Sequence, residues 1–217
     1  MTIRTDEQLD QRPTTAVGDV LRALSGVPVG SRVERLRDAR PVAREDAQAT
    51  YDYLFHPVDD GEVALVERLA VATFVAGVHG HEAASAHYGQ ALADAGAGPE
   101  LVAAVGAETV AGRTEGPYGT YREEGLAHES VPGPEHRVAP QHRAILGERL
   151  AAALEHAHLL VLHPRDSRPE RLERLVAAGW SATGIVTLSQ LVAFLAFQLR
   201  AATGLAVLHA TLNGDRA

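Results

Sequence analysis

The stretch that decides the fold is residues 178–200, AGWSATGIVTLSQLVAFLAFQLR. Gly179 is typical of a helix end, and Ser181 is placed to cap the helix that follows. The residues after Ser181 are apolar on nearly every face of that helix. Such a helix must be buried, either inside a bundle or against another subunit. The stretch therefore predicts a fold built around its last helix.

Helical patterns continue outward from this stretch, and no strand pattern of any strength is present in the sequence. Two helix starts fit capping boxes, Asp59 with Glu62 and Ser167 with Glu170. The predicted fold class is all-α, an orthogonal bundle of seven or eight helices. Helices are predicted over residues 15–24, 42–55, 59–76, 81–95, 99–111, 141–162, 167–178 and 181–208.

The chain is predicted to form a single helical domain over residues 14–210, after a polar and disordered tail at 1–13. A long loop rich in Gly and Pro spans residues 112–140, and long loops in compact domains are usually functional or mobile. The motif Glu-Arg-Leu-Ala occurs at 67–70 and again at 148–151. This repeat fits two similar halves, although alanine-rich helices also produce such matches by chance.

The composition of the chain limits which binding partners and which cellular locations are expected. The 217 residues carry a formal net charge of -8, which argues against nucleic acid and anionic membranes as partners. All 20 basic residues are Arg, so the chain has no Lys for a Schiff base. The N-terminus lacks the apolar region of a secretory signal, and no run of 18 apolar residues predicts a membrane span. We therefore expect a cytoplasmic protein.

Residues 178–200, together with the preceding HPRDSRP at 163–169, resemble the carboxymuconolactone decarboxylase and alkylhydroperoxidase D superfamily. The resemblance is to its peroxidase-related members in particular. It covers roughly residues 50–210 and is strongest over 142–208. It implies a helical bundle that assembles as a dimer, trimer or hexamer. It also implies a peroxidase reaction at a Cys-x-x-Cys pair, or a lactone decarboxylation in relatives without that pair.

The chain contains no cysteine. Taken without gaps, the resemblance places the two cysteine positions on His79 and Glu82 and the proton-relay glutamate on Glu67. The histidine of the family falls on Ala86, next to His87. Peroxide reduction needs a thiolate to attack the peroxide and a second thiol to resolve the sulfenic acid. We therefore expect no thiol-peroxidase activity, while the fold, the pocket and the proton relay are expected to remain.

These positions define the candidate catalytic residues, which are Glu67, His79, His81, Glu82 and His87. One interpretation is acid–base chemistry on a small organic acid, lactone or lipid-derived molecule, or binding of such a molecule. A second is a zinc or iron site, although His81 and His87 are not spaced as a known ligand motif. A third is a polar helix junction with solvated histidines. No cofactor is implied, and the metal content stays open.

Two function hypotheses follow. The first is a cysteine-free enzyme or small-molecule binder that uses Glu67 with one of the histidines. The second is a non-catalytic subunit that forms a hetero-oligomer with a thiol-bearing, antioxidant relative. The apolar last helix predicts an oligomer in either case, a homo-oligomer or, under the second hypothesis, a hetero-oligomer, because its surface left exposed would aggregate. His156 and His163 share a face of their helix, and with His158 they are interpreted as surface or interface residues.

Overall fold

The structure is a computed structural model and describes residues 18–214. The predicted tail at residues 1–13 lies outside the described residues, and so does the start of the first predicted helix. The described range contains nine α-helices, of which eight have at least seven residues, and no β-strand. The predicted all-α bundle of seven or eight helices is therefore confirmed. The helices are α1 Val20–Ser25, α2 Arg32–Asp38, α3 Pro41–Phe55, α4 Leu65–Val78, α5 Glu82–Asp94, α6 Pro99–Gly112, α7 Pro140–Leu162, α8 Pro169–Ala177 and α9 Ala182–Leu212.

The last helix, α9, begins directly after Ser181, as the sequence predicts. The Ser181 hydroxyl accepts a hydrogen bond from the Gly184 N–H at 3.0 Å, which satisfies one free donor of the first turn of α9. The Trp180 ring packs in the core beside this cap and donates its Nε1–H to the Arg149 carbonyl at 2.9 Å. This hydrogen bond ties the start of α9 to α7.

Both predicted capping boxes are wrong. Residues 59–64 form turns, with Gly61 at φ 58, and α4 starts only at Leu65. The Glu67 carboxylate reaches back to the Ala64 N–H at 3.1 Å. Helix α8 starts at Pro169, which is already fixed in a helical φ, and its N-cap residue makes no side-chain hydrogen bond. The short α2 was not predicted, since Val33 is its one buried residue and gives no helical periodicity.

Helix α4 forms the centre of the bundle. It contacts α5, α6, α7 and α9, and every residue from Leu69 to Val78 except Thr73 is buried. The contacting helices supply the largest buried side chains of the core, among them Tyr88, Leu92, Leu154 and Leu195. The C-terminal ends of α4 and α6 and the middle of α7 meet the long loop of residues 113–139. This arrangement positions the cleft described below.

The long loop follows a defined path rather than a mobile one. It contains a 3-10 turn at Glu124–Glu129 and an isolated antiparallel bridge between Gly119 and Val131. The Tyr118 N–H donates to the Leu162 carbonyl at 2.6 Å, which fixes the loop to the end of α7. The loop then returns across α7 and places His136 in the interior, where its side chain is 4% exposed.

Helix α9 is the one helix of the described range that is long and apolar enough to cross a membrane. In its most apolar window 39% of the residues are buried within the protein. A core helix of a soluble protein has the same length and composition, and α9 packs against α1, α4 and α7. Oligomerisation, the absence of membrane contact and the cytoplasmic location therefore stay predictions.

Candidate functional site

Glu67 links neighbouring segments of the chain through hydrogen bonds at the start of α4. Its carboxylate accepts hydrogen bonds from the Ala64 N–H at 3.1 Å and from Arg149 Nε at 2.7 Å. The Arg149 guanidinium also donates to the Gly179 carbonyl at 2.9 Å and lies 3.9 Å from the centre of the Trp180 ring. Glu67 thus joins α4 to α7 and to the turn before α9.

His79 and His81 lie at the opposite end of α4. Twelve residues of helix separate Glu67 from His79, which is about 18 Å along the axis. His79 is the C-cap of α4, and its buried Nε2 has no hydrogen-bond partner. Burial lowers the pKa of His79, and the nearby Arg200 and His81 lower it further. His81 caps α5 by accepting the Ala84 N–H at 3.2 Å. The predicted convergence of Glu67 with these histidines therefore does not occur.

His87 and Glu82 occupy two further places. The Tyr51 hydroxyl lies 2.8 Å from Nε2 of His87 inside an aromatic cluster with Phe55. Burial lowers the pKa of His87, and the nearby His56 adds to this shift. Glu82 is exposed in the first turn of α5. Within residues 18–214 no group of three or more His, Asp or Glu could hold a metal ion.

The structure instead gathers polar groups around Glu108, which is 1% exposed on α6. Its Oε1 accepts hydrogen bonds from the Ala139 N–H at 3.0 Å and from Nδ1 of His142 at 2.5 Å. Its Oε2 lies 2.9 Å from Nε2 of His136. This last contact is out of line for a hydrogen bond, and both atoms lack another partner, so it is electrostatic. A buried carboxylate thus faces two imidazoles.

Aromatic rings extend from this carboxylate through the interior. The ring centres of Phe74 and His136 are 5.4 Å apart, and those of His136 and His158 are 5.2 Å apart. His163 follows at 6.0 Å from His158, and Tyr118 lies 5.2 Å beyond it. The prediction that His156, His158 and His163 are surface residues is wrong, since they are at most 5% exposed. Helix α7 packs on several sides, so histidines on different faces are all buried.

Backbone carbonyls fix two of these rings. Nε2 of His158 donates to the Gly112 carbonyl at 3.0 Å. His163 lies between two acceptors, the Pro134 carbonyl at 2.9 Å from Nε2 and the Asp166 carboxylate at 3.2 Å from Nδ1. His163 is therefore fully engaged in holding the loop. Nδ1 of His136 and Nδ1 of His158 have no hydrogen-bond partner within residues 18–214, so both are available to another partner.

Two neighbouring spaces open beside His136 and His158. One is an open cleft of about 400 Å³, and its wall includes Gly112, Arg113, Thr114, His136 and His158. We call it the imidazole cleft. The other is an inner cavity of about 40 Å³, and both histidines also line it. The inner cavity has room for a few water molecules at about 10–15 Å³ each. The cleft has the volume of a small-molecule site.

The charges of the imidazole cleft favour an anion. Arg113 lines the cleft, and its guanidinium has no hydrogen-bond or ion-pair partner within residues 18–214. Glu135 also lines the cleft, but its two hydrogen bonds from the Arg171 guanidinium neutralise it and lower its pKa to about 2. Arg137 pairs with Glu135 and Glu155 at 3.1 and 3.0 Å. The cleft thus presents two imidazoles, and the unpaired Arg113 guanidinium lies beside Gly80 at its wall.

The imidazoles of the cleft are neutral near pH 7. Burial lowers the pKa of His158 to about 4, and His136 and His163 lower it while the Gly112 carbonyl opposes them. Burial also lowers the pKa of His136, against the opposing effect of the Glu108 carboxylate. A neutral imidazole with a free Nδ1 accepts a proton, which is the function of a general base.

No protein-family model, curated protein or solved structure matches the chain. The imidazole cleft is therefore interpreted from its own geometry, and the superfamily resemblance stays a prediction.

Part of the imidazole cleft has a signal in the sequence. Ala104, Val105, Glu108 and Gly112 recur at helical spacing and form the buried face of α6. A carboxylate on an apolar helix face must find a partner, so Glu108 is recognisable as a polar site in the core. His136 has no such signal, because it lies in an irregular loop whose path depends on contacts with α7.

His156 makes stability depend on pH. Burial lowers its pKa to about 4, and its Nδ1 has no partner in the core. In the unfolded chain the His156 imidazole takes up its proton near pH 6.5. Its contribution to the free energy of unfolding is therefore complete above that pH and is lost as pH falls toward 4. Between about pH 7 and 4.5 we expect the wild type to lose about 2–3 kcal/mol more than His156→Gln. Urea unfolding of both proteins at the two pH values measures the difference, and parallel pH profiles would contradict it.

Proposed function

We propose that the protein is a cysteine-free binder or acid–base enzyme whose ligand is a small organic acid or lactone held in the imidazole cleft. The observation that supports this most strongly is the buried Glu108 carboxylate beside His136, which itself lines the cleft. The absence of cysteine leaves carboxylate, imidazole and guanidinium groups to carry the chemistry.

Glu108 gives His136 a defined role in this proposal. A carboxylate 2.9 Å from Nε2 favours the tautomer with the proton on that nitrogen. Nδ1 then carries the lone pair and accepts a proton from a ligand carbon or from water in the cleft. The carboxylate also stabilises the imidazolium that forms, as in other histidines oriented by a buried acid.

Arg113 and His158 complete the proposed site. The Arg113 guanidinium is free to form paired hydrogen bonds with a ligand carboxylate at the cleft wall. His158 is held by the Gly112 carbonyl, so its ring has one orientation when a ligand arrives. A ligand anchored by its carboxylate at Arg113 would lie beside the imidazoles, which is the arrangement that acid–base chemistry on an organic acid needs.

Calorimetric titration with benzoate and succinate tests the proposal. We expect His136→Gln and Arg113→Gln each to weaken carboxylate binding at least tenfold, about 1.4 kcal/mol, because each removes a partner from the cleft. His128→Gln is the matched control, since that side chain is 75% exposed in the same loop. Benzamide should bind more weakly than benzoate by a similar factor. Equal binding of benzoate by wild type and both cleft variants would contradict the proposal.

The alternative, a non-catalytic subunit paired with a thiol-bearing relative, also stays a prediction. It makes no use of a neutral imidazole beside a buried carboxylate, so it leaves Glu108 and His136 without a role. Binding of benzoate to the wild type and its loss in His136→Gln would favour the small-molecule site over that alternative.

A further inference from the structure

A second groove lies between the α2–α3 segment and the C-terminal half of α9. It has a volume of about 400 Å³ and shares no residue with the imidazole cleft. Its walls are apolar, with Leu36 on α2 and Phe197, Leu205 and Leu208 on α9. Leu36 and Phe197 are each 52% exposed, and a contiguous exposed apolar surface marks a site of interaction.

Within residues 18–214 the charged residues that line this groove are all arginines, and they differ in their pairing. Arg37 donates to both oxygens of Asp19 at 2.9 Å, so its charge is neutralised. Arg44 donates to Asp38 at 2.5 Å. Arg40, which lies between Arg37 and Arg44 in the sequence, also lines the groove, and its guanidinium has no hydrogen-bond or ion-pair partner within residues 18–214. The groove therefore combines an apolar trough with one available guanidinium.

We propose that this groove binds a fatty acid, with the carboxylate on Arg40 and the acyl chain along α9. A planar guanidinium suits a carboxylate because it donates two parallel hydrogen bonds. Phe197 and Leu208 are eleven residues apart, so the apolar wall extends about 16 Å along the helix axis. An acyl chain fills a trough of this shape without leaving a polar group unpaired.

A second copy of the chain fits the groove less well. Contact between two copies across a two-fold axis through this groove would bring the arginines of both copies into one interface. Residues 182–212 of α9 contain no Asp or Glu to compensate that charge. A single carboxylate on an apolar chain supplies both the negative charge and the apolar surface that the groove presents.

The test uses the full chain and measures displacement of a fluorescent fatty-acid analogue by octanoate, decanoate and dodecanoate. Each added methylene should raise affinity about fourfold, which corresponds to about 0.8 kcal/mol. Dodecanol, which lacks the carboxylate, should bind at least tenfold more weakly than dodecanoate. Arg40→Gln should abolish that preference and leave the dependence on chain length intact.

Gly204→Trp is the variant that blocks the groove. Gly204 lines the groove, and a Cβ added there meets no atom within 4 Å, so the backbone position is open to a larger residue. Gly106→Trp on α6 is the matched control, since its position is equally open and lies outside the groove. We expect Gly204→Trp to abolish binding of dodecanoate and Gly106→Trp to leave it unchanged.

Three outcomes would overturn the proposal. They are affinity that does not change with chain length, equal affinity for dodecanol and dodecanoate, and unchanged binding in Gly204→Trp. A dimer in sedimentation that Gly204→Trp dissociates would also overturn it, because a second copy would then be the occupant. His136→Gln should leave fatty-acid binding unchanged, so failure here and failure of the imidazole cleft are separate results.

Discussion

Glu108→Ala is expected to lower the free energy of unfolding by about 3–5 kcal/mol, because removing a buried carboxylate takes the acceptor from its hydrogen-bond donors and leaves a cavity. The lost carboxylate accepts hydrogen bonds from the Ala139 N–H and from His142, and it lies 2.9 Å from His136. His136 would remain in the interior without its carboxylate, and the half-buried Ala139 N–H and His142 would lose their acceptor. The substitution also leaves a cavity at a position that is 1% exposed.

Urea unfolding at neutral pH measures this effect. Glu173→Ala is the matched control, because Glu173 is exposed on α8 and its loss should change stability by less than about 0.5 kcal/mol. Glu108→Gln keeps the shape but loses the charge, so an intermediate loss of about 1–3 kcal/mol is expected. A loss below about 1 kcal/mol in Glu108→Ala would show that the cluster does not depend on the carboxylate.

Arg68→Met is expected to lower the free energy of unfolding by a similar amount, about 3–5 kcal/mol, because several buried hydrogen bonds to one cation are lost together. Arg68 is 6% exposed, and its guanidinium donates to the carbonyls of Val63 at 2.9 Å, Leu54 at 3.0 Å and Asp60 at 2.8 Å. These carbonyls lie at the end of α3 and in the turns before α4. Arg68 therefore holds the connection between the two helices.

The same denaturation experiment tests Arg68. Arg68→Lys should recover little of the loss, since an ammonium on a single stem does not reach three carbonyls that a planar guanidinium spans. Arg32→Met is the control, because Arg32 is exposed in the first turn of α2. If Arg68→Met and Arg32→Met unfold at the same urea concentration, the carbonyl contacts contribute nothing to stability.

The helical architecture was predictable from the sequence because it rests on local signals. The apolar surface around α9, the Ser181 cap and the Pro at the start of α6 each act within a few residues. The two capping-box predictions that failed also used local signals. At those positions a competing local signal was stronger. The turn at Gly61 prevents a helix from starting at Asp59 and moves the start of α4 to Leu65.

The candidate site was predictable only in part. The histidines at 79, 81 and 87 are candidates because the resemblance places the redox motif of the family there, yet the length of α4 separates His79 and His81 from Glu67. Glu108 carries its own signal as a carboxylate on a buried face. His136 and His158 come together through contacts among α6, α7 and the loop of residues 113–139, and no local pattern encodes contacts between such distant segments.

NMR of the histidine ring nitrogens during a titration with benzoate tests the central claim most directly. If the imidazole cleft is the binding site, the ring signals of His136 and His158 shift with benzoate, and those of His79, His81 and His87 do not. The shifts should disappear in Arg113→Gln. Shifts confined to His79, His81 and His87, with His136 and His158 unchanged, would contradict the account and place the site at the junction of α4 and α5.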